Sequence, residues 1–319
     1  MNNAATIDLI SYDAILVNTS GGKDSQAMMD EIVRQARELG CLDRLIAVHA
    51  DLGRVEHQGT LELAREQAEF YGLPFEVVER KQGDLLDNVM QKHASIVKRD
   101  KRDKSGKLQH PWPDTQNTWC TSEHKTAQVT KLMTGLVDEI SNKLWGRKFH
   151  RGSDMPRKVR ILSCLGLRSQ ESGKRSKRLA EMVAENGVAA RFETKASNGK
   201  RSVDEWFPIA DWDLEQVWAC IFESGAPWSP VYDGLTKGDR KGMSRLSCCF
   251  CIMASKRDLV ISAKHNPALA QEYIKVENLT KSRFRMDMSI SELVELAASP
   301  EADKIIGQEP TEESFDCAA

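Results

Sequence analysis

The chain has 319 residues, 40% of them hydrophobic, so it can form one large α/β domain with appendages or two domains. Its formal net charge of −2 argues against a generic polyanion binder, and its eight cysteines are too few for a disulfide scaffold at this length. It contains no run of eighteen apolar residues, and its first five residues lack the features of a signal peptide. We therefore expect a cytoplasmic protein with no membrane partner.

Strand and helix patterns alternate along most of the chain. Strands are expected at residues 14–18, 44–50, 75–79, 158–165 and 206–209. Helices are expected at residues 26–39, 60–71, 85–97, 175–185 and 213–223, with glycines placed to end the first two. This alternation is typical of a doubly wound, mostly parallel α/β sheet.

Beyond about residue 235 the alternating pattern stops. The remainder has grouped cysteines, a helical pattern near residues 256–277 and an acidic tail that ends shortly after Cys317. We therefore expect an α/β nucleotide-binding domain over residues 1–235 and a cysteine-bearing helical segment with a tail over residues 236–319.

A glycine turn between the first strand and the first helix suggests the kind of ligand. Residues 20–25 read Ser-Gly-Gly-Lys-Asp-Ser. Unpaired backbone N–H groups and the positive end of a helix dipole meet at such a turn, which favours a bound phosphate. Lys23 can neutralise phosphate charge, and Asp24 can orient the loop or help to hold Mg²⁺. We expect both side chains to face solvent.

Two later strand ends carry polar side chains. The second strand runs into Asp51, and the strand at residues 158–165 is followed by a segment that includes Gly166, Arg168 and Glu171. The carboxyl ends of strands line the ligand crevice of an open parallel sheet, which places these residues beside the nucleotide. Arg168 can donate to a phosphate while Glu171 positions it.

The charge of the chain is unevenly distributed. From Lys143 to Arg201, sixteen Lys or Arg residues accompany five Asp or Glu residues. This segment could bind ATP, a sulfated nucleotide or a nucleic acid. A second basic stretch at residues 98–104 is interrupted by acids, which favours a solvated loop.

Three cysteines lie within four residues, at Cys248, Cys249 and Cys251. The thiolates of Cys248 and Cys251 have the spacing of a pair that shares an iron or a zinc ion. Buried free cysteines beside Phe250 are the alternative. The other cysteines inside helix or strand patterns are expected to be packing residues: Cys41, Cys164 and Cys220.

The loop at residues 20–25 resembles the PP-loop of ATP pyrophosphatases, which break the α–β bond of ATP and adenylate a substrate. Over about residues 10–275 the chain resembles the phosphoadenosine-phosphosulfate (PAPS) reductase-like family, which has an adenine nucleotide alpha hydrolase-like fold. The motifs that carry this resemblance are the loop, Asp51, Trp119-Cys120 with Lys125, residues 166–172, 208–212, 217–218 and 230–233, and the cysteines at 248–251. The family includes sulfonucleotide reductases, ATP sulfurylase small subunits and the DndC- and SspD-type ATP pyrophosphatases of DNA phosphorothioation.

The resemblance implies ATP and Mg²⁺ as cofactors. It also implies a probable [4Fe–4S] cluster on Cys120, Cys248 and Cys251, with Cys249 as an optional fourth ligand and zinc as the alternative metal. The expected ATP-binding residues are Ser20, Gly21, Gly22, Lys23, Asp24, Ser25, Asp51, Gly166 and Arg168. The expected catalytic residues are Lys23, Asp24, Arg168 and Glu171.

The chain departs from the reductases at two places. It lacks their E-C-G-x-H motif, and one cysteine rather than two follows Trp119. The departures favour an ATP pyrophosphatase that activates an oxygen atom for replacement by sulfur on the DNA backbone, with DNA and a cysteine desulfurase as partners. A sulfonucleotide reductase is the first alternative, and a nucleotide sensor without turnover is the second.

Overall fold

The computed structural model describes residues 7–150, 152–233 and 242–308. The chain forms two compact units, each built from three separate stretches. The first unit comprises Met1–Ala50, Gly59–Val78 and Ala127–Ser229, and the second comprises Asp51–Gln58, Glu79–Thr126 and Pro230–Ala319. The domain boundary expected after residue 235 and the acidic tail with Cys317 lie outside the described residues.

A six-stranded sheet organises the first unit. Its strands are β1 (Ala14–Thr19), β2 (Leu45–Asp51), β3 (Phe75–Glu79), β4 (Val159–Leu165), β5 (Ala190–Arg191) and β6 (Arg201–Trp206). They lie in the order β3-β2-β1-β4-β6-β5. Strand β1 is parallel to β2 and β4, β4 is parallel to β6, and the short β5 is antiparallel to β6. The expected mostly parallel α/β sheet is confirmed.

The described helices are, in chain order, α1 (Lys23–Glu38), α2 (Thr60–Phe70), α3 (Leu85–Lys98), α4 (Trp119–Thr121), α5 (Ala127–Trp145), α6 (Gly173–Asn186), α7 (Leu214–Ser224), α8 (Lys256–His265), α9 (Pro267–Thr280), α10 (Ile290–Ala298) and α11 (Pro300–Ile306). A π-helical turn over Ser122–Thr126 joins α4 to α5. None of these helices is long and apolar enough to cross a membrane.

Alternating side chains of β1 pack on opposite faces of the sheet. Ile15 and Val17 contact the core that includes Met28 of α1, whereas Leu16 contacts the core that includes Met133 of α5. Helices therefore cover both faces, as the doubly wound pattern predicts.

Two sequence predictions of secondary structure were wrong, and one helix was not predicted. The strand expected at residues 206–209 is β6, which begins at Arg201 and ends at Trp206; Pro208 follows in a turn because it has no N–H for a sheet. The single helix expected at 256–277 is two helices, α8 and α9, because Pro267 begins a new one. Helix α5, whose apolar residues recur at helical spacing, was not predicted.

An apolar core organises the second unit. It combines residues of α3 with those of α8 to α11 and the segment at 249–254. The rings of Trp112, Phe250 and Phe284 surround Tyr273, with centroid separations of 5.6, 5.0 and 6.0 Å. The basic stretch at 98–104 is exposed, as expected for a solvated loop. The backbone of Arg102 forms an isolated antiparallel β-bridge with that of Leu108.

Candidate active site

The glycine loop is closed by its own hydroxyl groups. Ser25 Oγ donates to Gly22 O at 2.8 Å and accepts from Ser20 N at 3.1 Å, while Thr19 Oγ1 accepts from Gly21 N at 3.2 Å. Gly21 has a φ of 73°, which glycine adopts without strain. Gly22 is the N-cap of α1 and provides no side-chain cap. The first turn of α1 is therefore shaped to receive an anion.

Two buried glutamines support this loop from behind. Gln67 Nε2 donates to Gly21 O at 3.3 Å, to Gln26 Oε1 at 3.1 Å and to Pro227 O at 3.0 Å. Gln26 Nε2 donates to Ala226 O at 3.3 Å. Sequence reasoning missed both residues, because a glutamine in a helix pattern does not show that its side chain is buried.

A chain of ion pairs lies beneath the loop. Lys23 Nζ is 3.1 Å from Asp24 Oδ2, and Arg168 Nε is 2.6 Å from Asp24 Oδ1. The side chain of Lys23 is 2% exposed and that of Arg168 is fully buried. The expectation that Lys23 and Asp24 face solvent was wrong, because Asp24 holds Lys23 inward and is itself held by an arginine 144 residues away.

The surroundings of Asp24 determine its charge. Burial raises the pKa of its carboxyl, but the cations Lys23 and Arg168 lower it more, so the net pKa lies below its ordinary value. Both carboxylate oxygens already have cationic partners. Of the two roles expected for Asp24, the arrangement matches orientation of the loop rather than binding of Mg²⁺.

The segment after β4 fits closely against the loop. A Cβ atom on Gly166 would lie 2.6 Å from Asp24 O and 2.9 Å from Ser25 N, so only glycine fits there. Glu171 Oε2 accepts from Arg168 N at 2.9 Å and pairs with Arg175. Because Arg168 is fully buried against Asp24, it acts here as a positioning residue.

Asp51 ends β2 and is grouped with the second unit. Its Oδ1 accepts from Gly53 N at 2.7 Å, which closes the turn that follows the strand. Its expected role beside adenosine stays a prediction.

Three half-buried cysteines lie close together in the second unit. Burial raises the pKa of the Cys248 thiol, and the neighbouring Cys251, Cys120 and Glu56 raise it further. Desolvation lowers the pKa of Lys125, but its interactions with the surrounding thiols and with Glu56, of which Cys248 contributes most, raise it more. We call Cys120, Cys248, Cys251 and Lys125 the thiol group.

Cys249 is separate from the thiol group. It is 1% exposed within the apolar core, and its N–H donates to Val55 O at 2.8 Å. Burial raises the pKa of its thiol to about 12. Cys249 is therefore in the position of a packing residue.

Tyr273 has a buried hydroxyl beside these cysteines. The residue is 1% exposed, and its pKa is raised by burial and then by Cys248, Cys249 and Cys251. Within the described part of the chain no hydrogen-bond partner reaches its Oη atom. A buried hydroxyl without a partner is costly, so this Oη atom is able to donate a hydrogen bond to an added acceptor. The sequence showed no signal for this residue.

The thiol group offers three sulfur donors to a metal. Over residues 7–150, 152–233 and 242–308, no three His, Cys, Asp or Glu side chains converge as ligands of one metal ion. In donor type, the three thiols suit either zinc or an iron–sulfur cluster.

The π-helical turn after Cys120 carries a buried histidine. His124 Nε2 lies 3.0 Å from Asn88 Nδ2, and burial lowers the pKa of His124 to about 4. The adjacent Glu123 accepts from Lys92 at 2.6 Å, and Lys92 lies over the ring of Trp119. π-Helical turns are rare in proteins, and those that occur are often found at functional sites.

The sheet and its glycine loop define an adenine-nucleotide-binding type of α/β protein. The family model of the phosphoadenosine phosphosulfate reductase domain matches residues 14–252, and the chain belongs to this enzyme family. No curated protein is matched by the chain. A solved structure, phosphoadenylyl-sulfate (PAPS) reductase from Candida auris in its phosphate complex, is 15% identical, with a TM-score of 0.38 over 71% of this chain and 80% of that chain.

Proposed function

We propose that this protein cleaves the α–β bond of ATP to activate an oxygen atom of the DNA backbone for replacement by sulfur. The observation that carries the proposal is the buried charge beneath the glycine loop. Lys23, Arg168 and Arg175 with Asp24 and Glu171 sum to one positive charge in a site of low dielectric. A fixed positive charge there favours the charge that develops on pyrophosphate as it leaves.

The proposed reaction has two transfers. A phosphate oxygen of DNA attacks the α-phosphorus of ATP, a P–O bond forms, and pyrophosphate leaves. A persulfide from a cysteine desulfurase then attacks the activated DNA phosphorus and displaces AMP. A second thiol reduces the resulting S–S bond and leaves sulfur on the DNA. In this scheme the loop N–H groups bind the phosphates, and Mg²⁺ would offset the phosphate charge of ATP while Asp24 keeps its pairs with Lys23 and Arg168.

We also propose that Cys120, Cys248 and Cys251 hold an iron–sulfur cluster. Such a cluster would supply a soft site for sulfur or electrons for its transfer. The chain's own contribution would be the ammonium of Lys125 and the hydroxyl of Tyr273, both of which interact electrostatically with these cysteines and could donate a hydrogen bond to a negative sulfur.

Product analysis tests the proposed activity. The protein is incubated with ATP, Mg²⁺, a persulfide-loaded cysteine desulfurase and a thiol, with and without duplex DNA, and pyrophosphate and AMP are measured. With DNA present we expect both products in equal amounts. ADP with inorganic phosphate, or no product, would exclude cleavage at the α–β bond. Mass spectrometry of nuclease-digested DNA from cells with and without the gene tests the acceptor.

A sulfonucleotide reductase is the second candidate, favoured by the family match over residues 14–252. The 319 residues lack the E-C-G-x-H motif, so another cysteine would have to be the nucleophile. Release of sulfite from a sulfonucleotide, without pyrophosphate release from ATP, would favour this candidate. ATP binding with neither product would leave the nucleotide sensor.

A further inference from the structure

The peptide that joins Gly21 to Gly22 is held from inside the first unit. Gln67 of α2 is fully buried, and its Nε2 atom donates to Gly21 O at 3.3 Å. The C=O and the N–H of a planar trans peptide point in opposite directions. With Gly21 O turned inward to the buried amide, the N–H of Gly22 is therefore turned outward.

The outer side of this peptide is the side on which an anion is expected. Gly22 N lies 3.4 Å from the Oγ atom of Ser20, which is an exposed residue. At this distance the hydrogen bond is weak, and a phosphate oxygen can replace it with a stronger, charge-assisted one. Gly22 is also the N-cap of α1, where the positive end of the helix dipole favours an anion. The N–H of Gly22 therefore has the orientation that phosphate binding requires.

The two glycines do not fix that orientation by themselves. Turning a peptide over changes the ψ angle of the residue before it and the φ angle of the residue after it, and here both residues lack a Cβ atom. In the reversed orientation Gly21 O would face the phosphate and repel it. A contact from outside the loop is therefore needed to select the orientation that binds an anion.

The surroundings of the Gln67 amide orient it to make this contact. Besides Gly21 O, its Nε2 atom donates to Gln26 Oε1 at 3.1 Å and to Pro227 O at 3.0 Å, so its two N–H bonds are shared among three oxygens. Reversing the amide would set Oε1 against the same three oxygens. Among the described residues, Gln67 Oε1 is buried without a hydrogen-bond partner. An unpaired buried acceptor is costly, and local conflicts of this kind are expected at functional sites.

We propose that Gln67 is a positioning residue of the nucleotide site, which holds the Gly21–Gly22 peptide with its N–H outward to bind a phosphate. That this phosphate belongs to ATP rests on the proposed function. Gln67 lies 46 residues from Gly21, so the loop motif does not specify it. Without Gln67, fewer molecules would have the N–H outward, and the apparent dissociation constant for a phosphate ligand would rise in proportion.

Calorimetric titration with pyrophosphate tests this role without requiring turnover. Gln67→Met fills a similar space but donates no hydrogen bond. We expect it to weaken pyrophosphate binding about tenfold, as for the loss of one hydrogen bond to a charged group. Tyr71→Phe is the control, because it removes a hydrogen bond of 2.9 Å from Tyr71 Oη to Asp30 Oδ1, which joins the end of α2 to α1 away from the loop. We expect Tyr71→Phe to bind pyrophosphate as the wild type does.

The amide signal of Gly22 in nuclear magnetic resonance spectra separates positioning from a general loss of stability. In the ¹⁵N-labelled wild type this signal should shift on saturation with pyrophosphate. In unliganded Gln67→Met it should broaden through exchange between the two peptide orientations, and in Tyr71→Phe it should not. Circular dichroism checks the fold of each variant. If Gln67→Met does not fold, Gln67→Asn gives the same comparison, because its amide is too short to reach Gly21 O.

The outcomes distinguish this role from the proposed reaction. Wild-type pyrophosphate affinity in a folded Gln67 variant, equal weakening in Tyr71→Phe, or a Gly22 signal unaffected by bound pyrophosphate would overturn the positioning role, even if the wild type cleaves ATP. Weakened binding in Gln67→Met, together with no cleavage of ATP by the wild type, would support the positioning role and overturn the reaction. A wild type that binds neither pyrophosphate nor ATP would overturn both.

Discussion

At the residue scale, the candidate site depends on charges that are buried rather than presented to solvent. Lys23 and Arg168 both contact the carboxylate of Asp24, which is therefore the centre of the arrangement. Removing a partner from a buried pair leaves an uncompensated charge, and the cost is larger than that of losing a surface contact. The two kinds of ion pair can be compared in this protein.

Asp24→Asn should lower the free energy of unfolding by about 3 kcal/mol, because two buried cations lose their carboxylate. Lys23→Met should cost less, since Arg168 still pairs with Asp24, but it should abolish pyrophosphate release. Urea unfolding and product analysis measure the two effects. The control is Arg34→Met, which removes the two ion pairs of an exposed arginine on α1 and should cost less than about 1 kcal/mol. Wild-type turnover by Lys23→Met would show that the loop is not the nucleotide site.

Tyr273→Phe tests the buried hydroxyl at the thiol group. In metal-free protein the substitution should leave stability unchanged or raise it by about 1 kcal/mol, because a group without a partner is removed. In protein reconstituted with iron and sulfide under anaerobic conditions, it should shift the visible absorption or the reduction potential, because a hydrogen bond to sulfur is lost. Tyr12→Phe is the contrasting variant. Tyr12 donates a hydrogen bond to Asp204 at 2.8 Å, and the loss of this bond should destabilise the protein. An identical spectrum for Tyr273→Phe would show that this hydroxyl does not contact the bound group.

At the scale of elements, the loop and the segment after β4 are fitted to each other, because Gly166 lies against the backbone at the start of α1. Gly166→Ala should weaken ATP binding and destabilise the protein by about 1–3 kcal/mol, since the added methyl overlaps Asp24 O. Gly173→Ala at the start of α6 is the matched control: nothing lies within 4 Å of its added Cβ, and we expect it to be neutral or slightly stabilising. Calorimetric titration with ATP and urea unfolding distinguish the two variants.

The thiol group joins two elements that are distant in sequence, the short helix α4 and the segment before α8. Cys120→Ser, Cys248→Ser and Cys251→Ser should each lower the iron content of anaerobically purified protein, because three separate thiolates are needed. Cys249→Ser and Cys41→Ser should retain the iron, since both thiols are buried in apolar cores. The iron content, the zinc content and the visible absorption spectrum of each variant check this expectation. A colourless protein with stoichiometric zinc would exclude the cluster and leave the nucleotide site unaffected.

At the scale of the whole molecule, two units are each assembled from three interleaved stretches of chain. The glycine loop, Gly166 and Arg168 belong to the first unit, and the thiol group belongs to the second. Global measurements such as the dependence of stability on pH report on both units together. Two buried histidines of the second unit allow such a measurement to be assigned to specific residues.

Burial lowers the pKa of both His57 and His124 to about 4, from an ordinary value of 6.5. The unfolded chain therefore takes up protons before the folded one, and stability should fall as the pH drops from about 6.5 to 4. The loss should approach about 3 kcal/mol for each histidine. The free energy of unfolding should differ less between pH 7 and pH 5 in His57→Gln/His124→Gln than in the wild type. The variant His150→Gln, at an exposed position, should show the wild-type difference. Equal differences in all three proteins would contradict this assignment.

The sequence by itself determined the alternating α/β pattern and the positions of the motifs. A buried apolar strand, a glycine turn and an amphipathic helix are local features, so β1, the loop and α1 could be predicted from residues that are adjacent in the chain. The same holds for α3 and α7, whose capping aspartates Asp84 and Asp213 mark their first residues. Strand β6 was misplaced because its charged residues Arg201, Asp204 and Glu205 hide a largely buried strand.

Only the tertiary structure decided which side chains act together. The pairing of Asp24 with Arg168, the gathering of Cys120 with Cys248 and the exclusion of Cys249 depend on contacts between distant parts of the chain. The basic segment likewise contains cations that already pair with carboxylates of the first unit, which its total charge could not show. The physical reason is that burial and charge pairing are set by neighbours in space, whereas composition and spacing report only neighbours in sequence.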